Sequence, residues 1–204
     1  VVETRLCVNH SATLNFASPL STPPDQTDSP LSFLVIGDWG RDGMCCQRDV
    51  AIEMGRAASQ TKAAFVINTG DNFYPAGIQD RGAEQIETSW TQVYDEPGID
   101  SLVWYSCLGN HDWYGNVQAE LDLHGGRWHL PSHYYDIVLP ADADNATSAT
   151  AHFVFLDTTP TLPAYADFAT VSNFWRDNET TPAAYLDKQI AFLRAAFAGS
   201  SATW

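Results

Sequence analysis

The chain has 204 residues, 45% of them hydrophobic, which is enough apolar material for one domain with a sizeable core. Acidic residues outnumber basic ones 25 to 10, a formal charge of −15, so polyphosphate backbones and anionic membrane surfaces are repelled and no nucleic-acid partner is expected. No stretch approaches the roughly 18 to 20 apolar residues of a membrane span, and the start at Val1, without a charged-then-apolar signal, is that expected of a processed terminus.

From the N-terminus, residues 17–31 (ASPLSTPPDQTDSPL) hold too much Pro, Ser, Thr and Asp for a regular element, so residues 1–30 are expected to be an extended arm and 31–204 the domain. Three glycosylation sequons, at Asn9, Asn145 and Asn178, fall in loop-like segments and point to a secreted chain. Cys7, Cys45, Cys46 and Cys107 form no CxxC pair, which disfavours a cysteine metal site. Adjacent Cys45 and Cys46 do not easily bridge each other; one of them reaching Cys7, with Cys107 as a buried small residue, is the expected arrangement.

One theme then occurs three times: an apolar run ends in Gly-Asp or Gly-Asn, a polar loop follows, and a helix-like segment comes next. The runs are LSFLVIGDWG (31–40), AAFVINTGDNFY (63–74) and LVWYSCLGNHDW (102–113). CQRDVAIEMGRAASQ, AEQIETSWTQVYDE and GNVQAELDLHG carry apolar residues near helical spacing, giving β-α-β-α-β-α and hence parallel strands. HYYDIVLP and AHFVFLDT read as two further strands joined by a sequon-bearing loop, and the proline-rich stretch 158–182 reads as a long surface loop. A helix follows, capped by Thr181, with Pro182 in its first turn, a core stripe of Leu186, Ile190, Leu193 and Phe197, and an end at Gly199.

Functional groups of open α/β sheets gather at the carboxyl ends of the strands, where the three runs put Asp38, Asp71 and the cluster Asn110-His111-Asp112. A glycine precedes each, at Gly37, Gly70 and Gly109, allowing a sharp turn and the close approach of a metal or phosphate. Taken singly, an Asp after a strand is more often a helix cap or turn former. Three such motifs at successive strand ends favour a site for hard cations, which take carboxylate, amide, phenolate and imidazole donors. Trp39, Phe73 and Trp113 either wall a substrate cleft or pack the loops, and His10, His124, His129, His133 and His152 are read as surface or core residues. P-loop, GxSxG and HExxH motifs are all absent.

GDWG, GDNFY and GNHD resemble the first three signature blocks of the metallophosphoesterases, and GDNFY is the purple acid phosphatase form. GDNFYPAGIQD, GNHDWYGNVQAEL, RWHLPSHYY and FVFLDTTPTL are similar to segments of the small tartrate-resistant type, so the resemblance covers about 31–204. It implies an α/β fold, the N-terminal part of a four-layer α-β-β-α sandwich. It further implies an acid phosphatase that hydrolyses phosphomonoesters, small or on phosphoproteins, by metal-bound hydroxide in a secreted, extracellular or lysosome-like setting. Asp38 and Tyr74 would bind a ferric ion, Asp71 would bridge it to a second metal (iron, zinc or manganese), and Asn110 would bind the second. His111 would assist the leaving group, with Asp112 as its orienting partner. A phosphodiesterase reading is disfavoured by the GDNFY form.

The family completes this dinuclear centre with three histidines in VxxH and GHxH blocks, and neither block occurs here. The domain over 31–204 is therefore expected to be incomplete at its C-terminus, with apolar strands left uncovered and the missing ligands supplied by a C-terminal fragment of the same precursor. The alternative is a catalytically silent secreted glycoprotein that uses the fold for assembly or binding.

Overall fold

A computed structural model of the chain describes residues 31–140, 150–178 and 180–202. The arm, Cys7 with its expected bridge, Asn9 and Asn145 lie outside the described residues.

The three apolar runs form β1 (Phe33–Ile36), β2 (Phe65–Asn68) and β3 (Val103–Ser106), and a two-residue strand, β4 (Trp128–His129), extends the sheet. All pairings are parallel and the order is β1-β2-β3-β4. Register aligns Ile36 with Asn68 and Asn68 with Ser106, so the loops carrying Asp38, Asp71 and Asn110 leave one edge of the sheet side by side. β4 escapes sequence reading because two residues carry no alternation; its pairing with Trp104 and Tyr105 creates it.

Helix α1 (Gln47–Thr61) follows the first loop and buries Ala51, Gly55 and Ala58. The segment 83–96, expected to be a second full helix, makes only a π-helical turn over Glu87–Thr91 within a run of turns. Tertiary bonds intervene there: the Gln47 side-chain amide donates to the Ser89 carbonyl at 2.6 Å, and the Ser89 hydroxyl accepts from the Asp42 amide at 2.8 Å. α2 (Val117–Leu121) is short and capped by the Asn116 side chain. Trp39, Phe73, Trp90, Tyr94, Trp104 and Trp128 form one aromatic cluster, mostly edge to face at centroid separations near those preferred by aromatic pairs. Trp39, Phe73 and Trp113 are all buried, so each packs the loops, and Trp39 and Trp113 also line cavities.

β5 (Tyr135–Pro140) and β6 (Thr150–Phe155) form a separate antiparallel pair. Phe153 meets the rings of Phe33 and Phe65, and Phe155 meets that of Tyr105, so this ribbon packs on the larger sheet. The stretch 158–182, expected to be a loop, contains α3 (Ala169–Asp177). Its prolines at 160 and 163 stay in short 3₁₀ turns, while Val171 is buried and Phe168, Phe174 and Trp175 pack against the core.

Helix α4 (Pro182–Gly199) begins and ends where the sequence indicates, with the Thr181 hydroxyl accepting from the Ala184 amide at 3.2 Å. Its expected core stripe is corrected by the structure: Leu186, Ile190 and Phe197 are 42%, 37% and 64% exposed, and Tyr185 and Gln189 are the buried residues. A polar clamp sets this rotation. Gln189 accepts from the Asp157 amide at 3.0 Å and donates to the Asp157 carbonyl at 2.7 Å, and the Tyr185 hydroxyl donates to the Asp157 carboxylate at 3.4 Å. Val35 on β1 and Val138 on β5 are likewise exposed.

Candidate metal centre

At the carboxyl ends of β1 and β2 the backbone turns sharply, and Asp38 (φ 60°) and Asp71 (φ 52°) both adopt the left-handed conformation. Few residues other than Gly, Asn and Asp accept it, and such strain clusters at functional positions. The loops touch closely: a Cβ on Gly109 would fall on Asp71 Oδ1, and one on Gly70 would lie 2.7 Å from the Gly109 amide.

This crowding brings three oxygens together. The Tyr74 hydroxyl lies 2.6 Å from Asp38 Oδ1 and 2.8 Å from Asp71 Oδ2. Its single proton serves only one carboxylate at a time. Burial, followed by the hydrogen bonds to the two carboxylates, pushes the Tyr74 phenol well above its ordinary range. Two carboxylates and a phenol converging in this way suit a hard metal ion, which would displace the phenolic proton and reverse that shift. Asp71 Oδ1 points the other way and accepts from the His111 amide at 2.9 Å, so its two oxygens serve different loops.

Asn110 directly precedes His111, whose backbone amide binds this carboxylate, and its own side-chain amide makes no hydrogen bond to the described residues. Among those residues no group of three or more His, Cys, Asp or Glu could hold a metal. The donor set at Asp38, Asp71 and Tyr74 fits one hard cation, while a second position would have Asp71 and Asn110 among the described residues.

His111 is near the site, its ring 4.2 Å from that of Tyr74, but Asp112 does not orient it. The imidazole Nδ1 lies 2.6 Å from the Pro75 carbonyl, which can only accept, so Nδ1 carries a proton and Nε2 is left free. Asp112 is fully buried and accepts from the amides of Gly109 at 2.7 Å, Asn72 at 2.8 Å and Phe73 at 3.3 Å. It ties the second loop to the third.

Sequence reading missed the groups beneath these loops. Glu120 on α2 is fully buried and accepts from the Asn72 amide at 3.0 Å; Asn72 in turn accepts from Asn68 at 2.5 Å, and Asn68 accepts from the Trp39 indole at 3.0 Å. Burial raises the Asp112 and Glu120 carboxyls, and repulsion from Asp112 raises Glu120 further. The available signal was a Glu three residues after Val117, on the buried face of its helix. Arg41, one residue beyond GDWG, stacks its guanidinium 3.8 Å from the Tyr74 ring centroid.

The remaining thiols are not ligands of this set: Cys45 and Cys46 are exposed, and burial pushes the Cys107 thiol up to about 12. Asn178 is exposed at the end of α3, with its amide donating to the Phe174 carbonyl at 2.9 Å. No helix of the described residues is long and apolar enough to cross a membrane.

Residues 31–193 match the calcineurin-like phosphoesterase family. The chain is 33% identical over 181 residues to purple acid phosphatase 4 of Arabidopsis thaliana, covering 87% of this chain and 50% of that protein. It is 30% identical to tartrate-resistant acid phosphatase type 5 of Mus musculus, covering 74% of this chain and 47% of that one. The fold is also that of GAP50, the anchor in the inner membrane complex of Plasmodium, with a TM-score of 0.59 and 24% identity over 72% of this chain and 48% of that chain. The chain spans half or less of the length of the curated relatives it matches. With the strand-end motifs of its parallel sheet and these likenesses together, the chain belongs to the calcineurin-like phosphoesterase family, on its purple acid phosphatase branch.

Proposed function

We propose that the chain is part of a secreted or lysosome-like acid phosphatase that hydrolyses phosphomonoesters, small or protein-borne, at a dinuclear metal centre. The observation that carries this reading is the convergence of the Asp38, Asp71 and Tyr74 oxygens within 2.6 to 2.8 Å contacts. Asp38, Asp71 and Tyr74 would hold Fe(III), and Asp71 and Asn110 would hold Fe(II), Zn(II) or Mn(II). The divergent oxygens of Asp71 support its bridging role. The other ligands would come from a C-terminal segment of the same precursor.

When bound, such a pair of cations supplies Lewis acidity for the phosphoryl group and for the attacking water. The chain's own residues do the rest. Gly70 and Gly109 let the loops close on Asp71, Asp112 fixes their spacing, and the Pro75 carbonyl accepts from His111 Nδ1–H, so that in the imidazolium form Nε2–H gives its proton to the leaving alkoxide and the ring is left neutral. The three sequons support a secretory route.

A second reading, a silent glycoprotein scaffold, is favoured by the exposed apolar face of α4 and by the shared fold with an anchor protein. Metal content and visible absorption of the purified native protein, with mass analysis of every polypeptide present, separate the two. About two metals per protein and a tyrosinate band lost in Tyr74→Phe support the phosphatase; a metal-free, colourless protein without phosphatase activity leaves the scaffold.

A further inference from the structure

Arg41 is the one cationic side chain stacked on the candidate metal-binding tyrosine among the described residues, with its guanidinium carbon 3.8 Å from the Tyr74 ring centroid. That is well inside the roughly 6 Å range of cation–π attraction. Its backbone is fixed from both sides: the Arg41 amide donates to the buried Gln47 side chain at 3.0 Å, and its carbonyl accepts from the Met44 amide at 2.9 Å. The base of the residue is anchored while the head is exposed. The adjacent carboxylate is committed elsewhere, since Asp42 accepts from the Thr88 hydroxyl at 2.8 Å. Among the described residues no carboxylate lies within ion-pair distance of Arg41, and the residue lines one cavity together with Asp38, where its five donors can meet a ligand.

We infer that Arg41 is a substrate-binding residue, presenting its guanidinium fork to the phosphoryl oxygens of a phosphomonoester dianion; the inference rests on the phosphatase reading above. A protein of formal charge −15 repels phosphate at long range, and a localised cation at the mouth of the site offsets that repulsion where it matters. Arginine suits this task because its planar fork matches two phosphoryl oxygens at once. The same ring that carries the phenol oxygen toward Asp38 and Asp71 supports the guanidinium, so the cation is held at a fixed place relative to the donors. His111, whose ring also meets Tyr74, lies in the same cluster and would face the ester oxygen.

The test uses the full-length native protein as wild type, Arg41→Lys and Arg41→Ala, each first assayed for bound metal. Inorganic phosphate affinity is read by calorimetry, KM and kcat by turnover of a simple aryl phosphate, and the tyrosinate band by absorption. Arg41→Ala is expected to weaken phosphate binding about tenfold, to raise KM by a similar factor with a smaller fall in kcat, and to shift the visible band because the cation has left the ring. Arg41→Lys should recover part of the phosphate affinity, since it keeps the charge but not the fork. Unchanged phosphate affinity and an unmoved band in metal-loaded Arg41→Ala would overturn the inference alone. A wild-type protein without metal overturns the phosphatase reading and the inference with it.

Discussion

Asp38 and Asp112 occupy matching places, each within three residues of a glycine at the carboxyl end of a parallel strand, yet the structure gives them opposite surroundings. Asp38 is exposed, left-handed, and faces the Tyr74 hydroxyl and the opposing Asp71. Asp112 is fully buried and spends both oxygens on three backbone amides. An acidic residue that holds the loops and one that offers oxygens outward are the same letter in a motif; the number of protein donors each meets separates them.

The largest effect expected is the one that breaks this contrast. Asp112→Ala leaves three buried amides unpaired and should cost about 3 kcal/mol or more of stability, read by denaturant unfolding. Asp38→Asn, which keeps a residue tolerant of the left-handed backbone, should change stability by less than about 0.5 kcal/mol while lowering metal content and phosphatase activity at least 100-fold. Equal losses of stability in the two variants would remove the distinction.

Glu120 sharpens the comparison from below. Its carboxyl is held well above the ordinary value of 4.5, chiefly by burial and then by repulsion from Asp112. A raised folded-state value means the stabilisation is fully present below the unfolded value and is lost as pH rises toward the folded one. Across that window Glu120 should add a fall of about 1.4 kcal/mol per pH unit to the one that the raised Asp112 carboxyl contributes. Glu120→Gln, an uncharged mimic that still accepts from Asn72, should flatten the slope; unfolding curves with the same slope in both proteins would show that Glu120 titrates normally.

The smallest effect belongs to the start of helix α4. Thr181→Ala removes the side-chain cap of α4 and should lower stability by about 1 kcal/mol in thermal unfolding, with no change in metal content or activity, because the helix contributes no donor to the loops.

Much of this was legible in advance for identifiable reasons. β1 to β3 and α1 follow from unbroken apolar runs and helical spacing, and the Thr181-Pro182 start of α4 follows from cap chemistry. α3 was hidden by flanking prolines and a sequon, although Val171, Phe174 and Trp175 keep helical spacing. The α4 stripe was misread because hydrophobicity gives a face but not its partner: the Asp157–Gln189 clamp and Tyr185 chose another face. In the site, Asp38, Asp71 and Tyr74 could be named from motif and converge in space, whereas the buried supports Asn68, Asn72 and Glu120 could not.

By itself the sequence determined that the first three strands run parallel, the glycines that let three loops approach one another, and the acidic and phenolic oxygens those loops carry. Tertiary structure alone decided which carboxylate is buried and which is offered, where the His111 proton resides, and that Arg41 lies on the Tyr74 ring. Each of those outcomes depends on dielectric surroundings and on donors brought from distant residues, as when Gly109, Asn72 and Phe73 converge on Asp112.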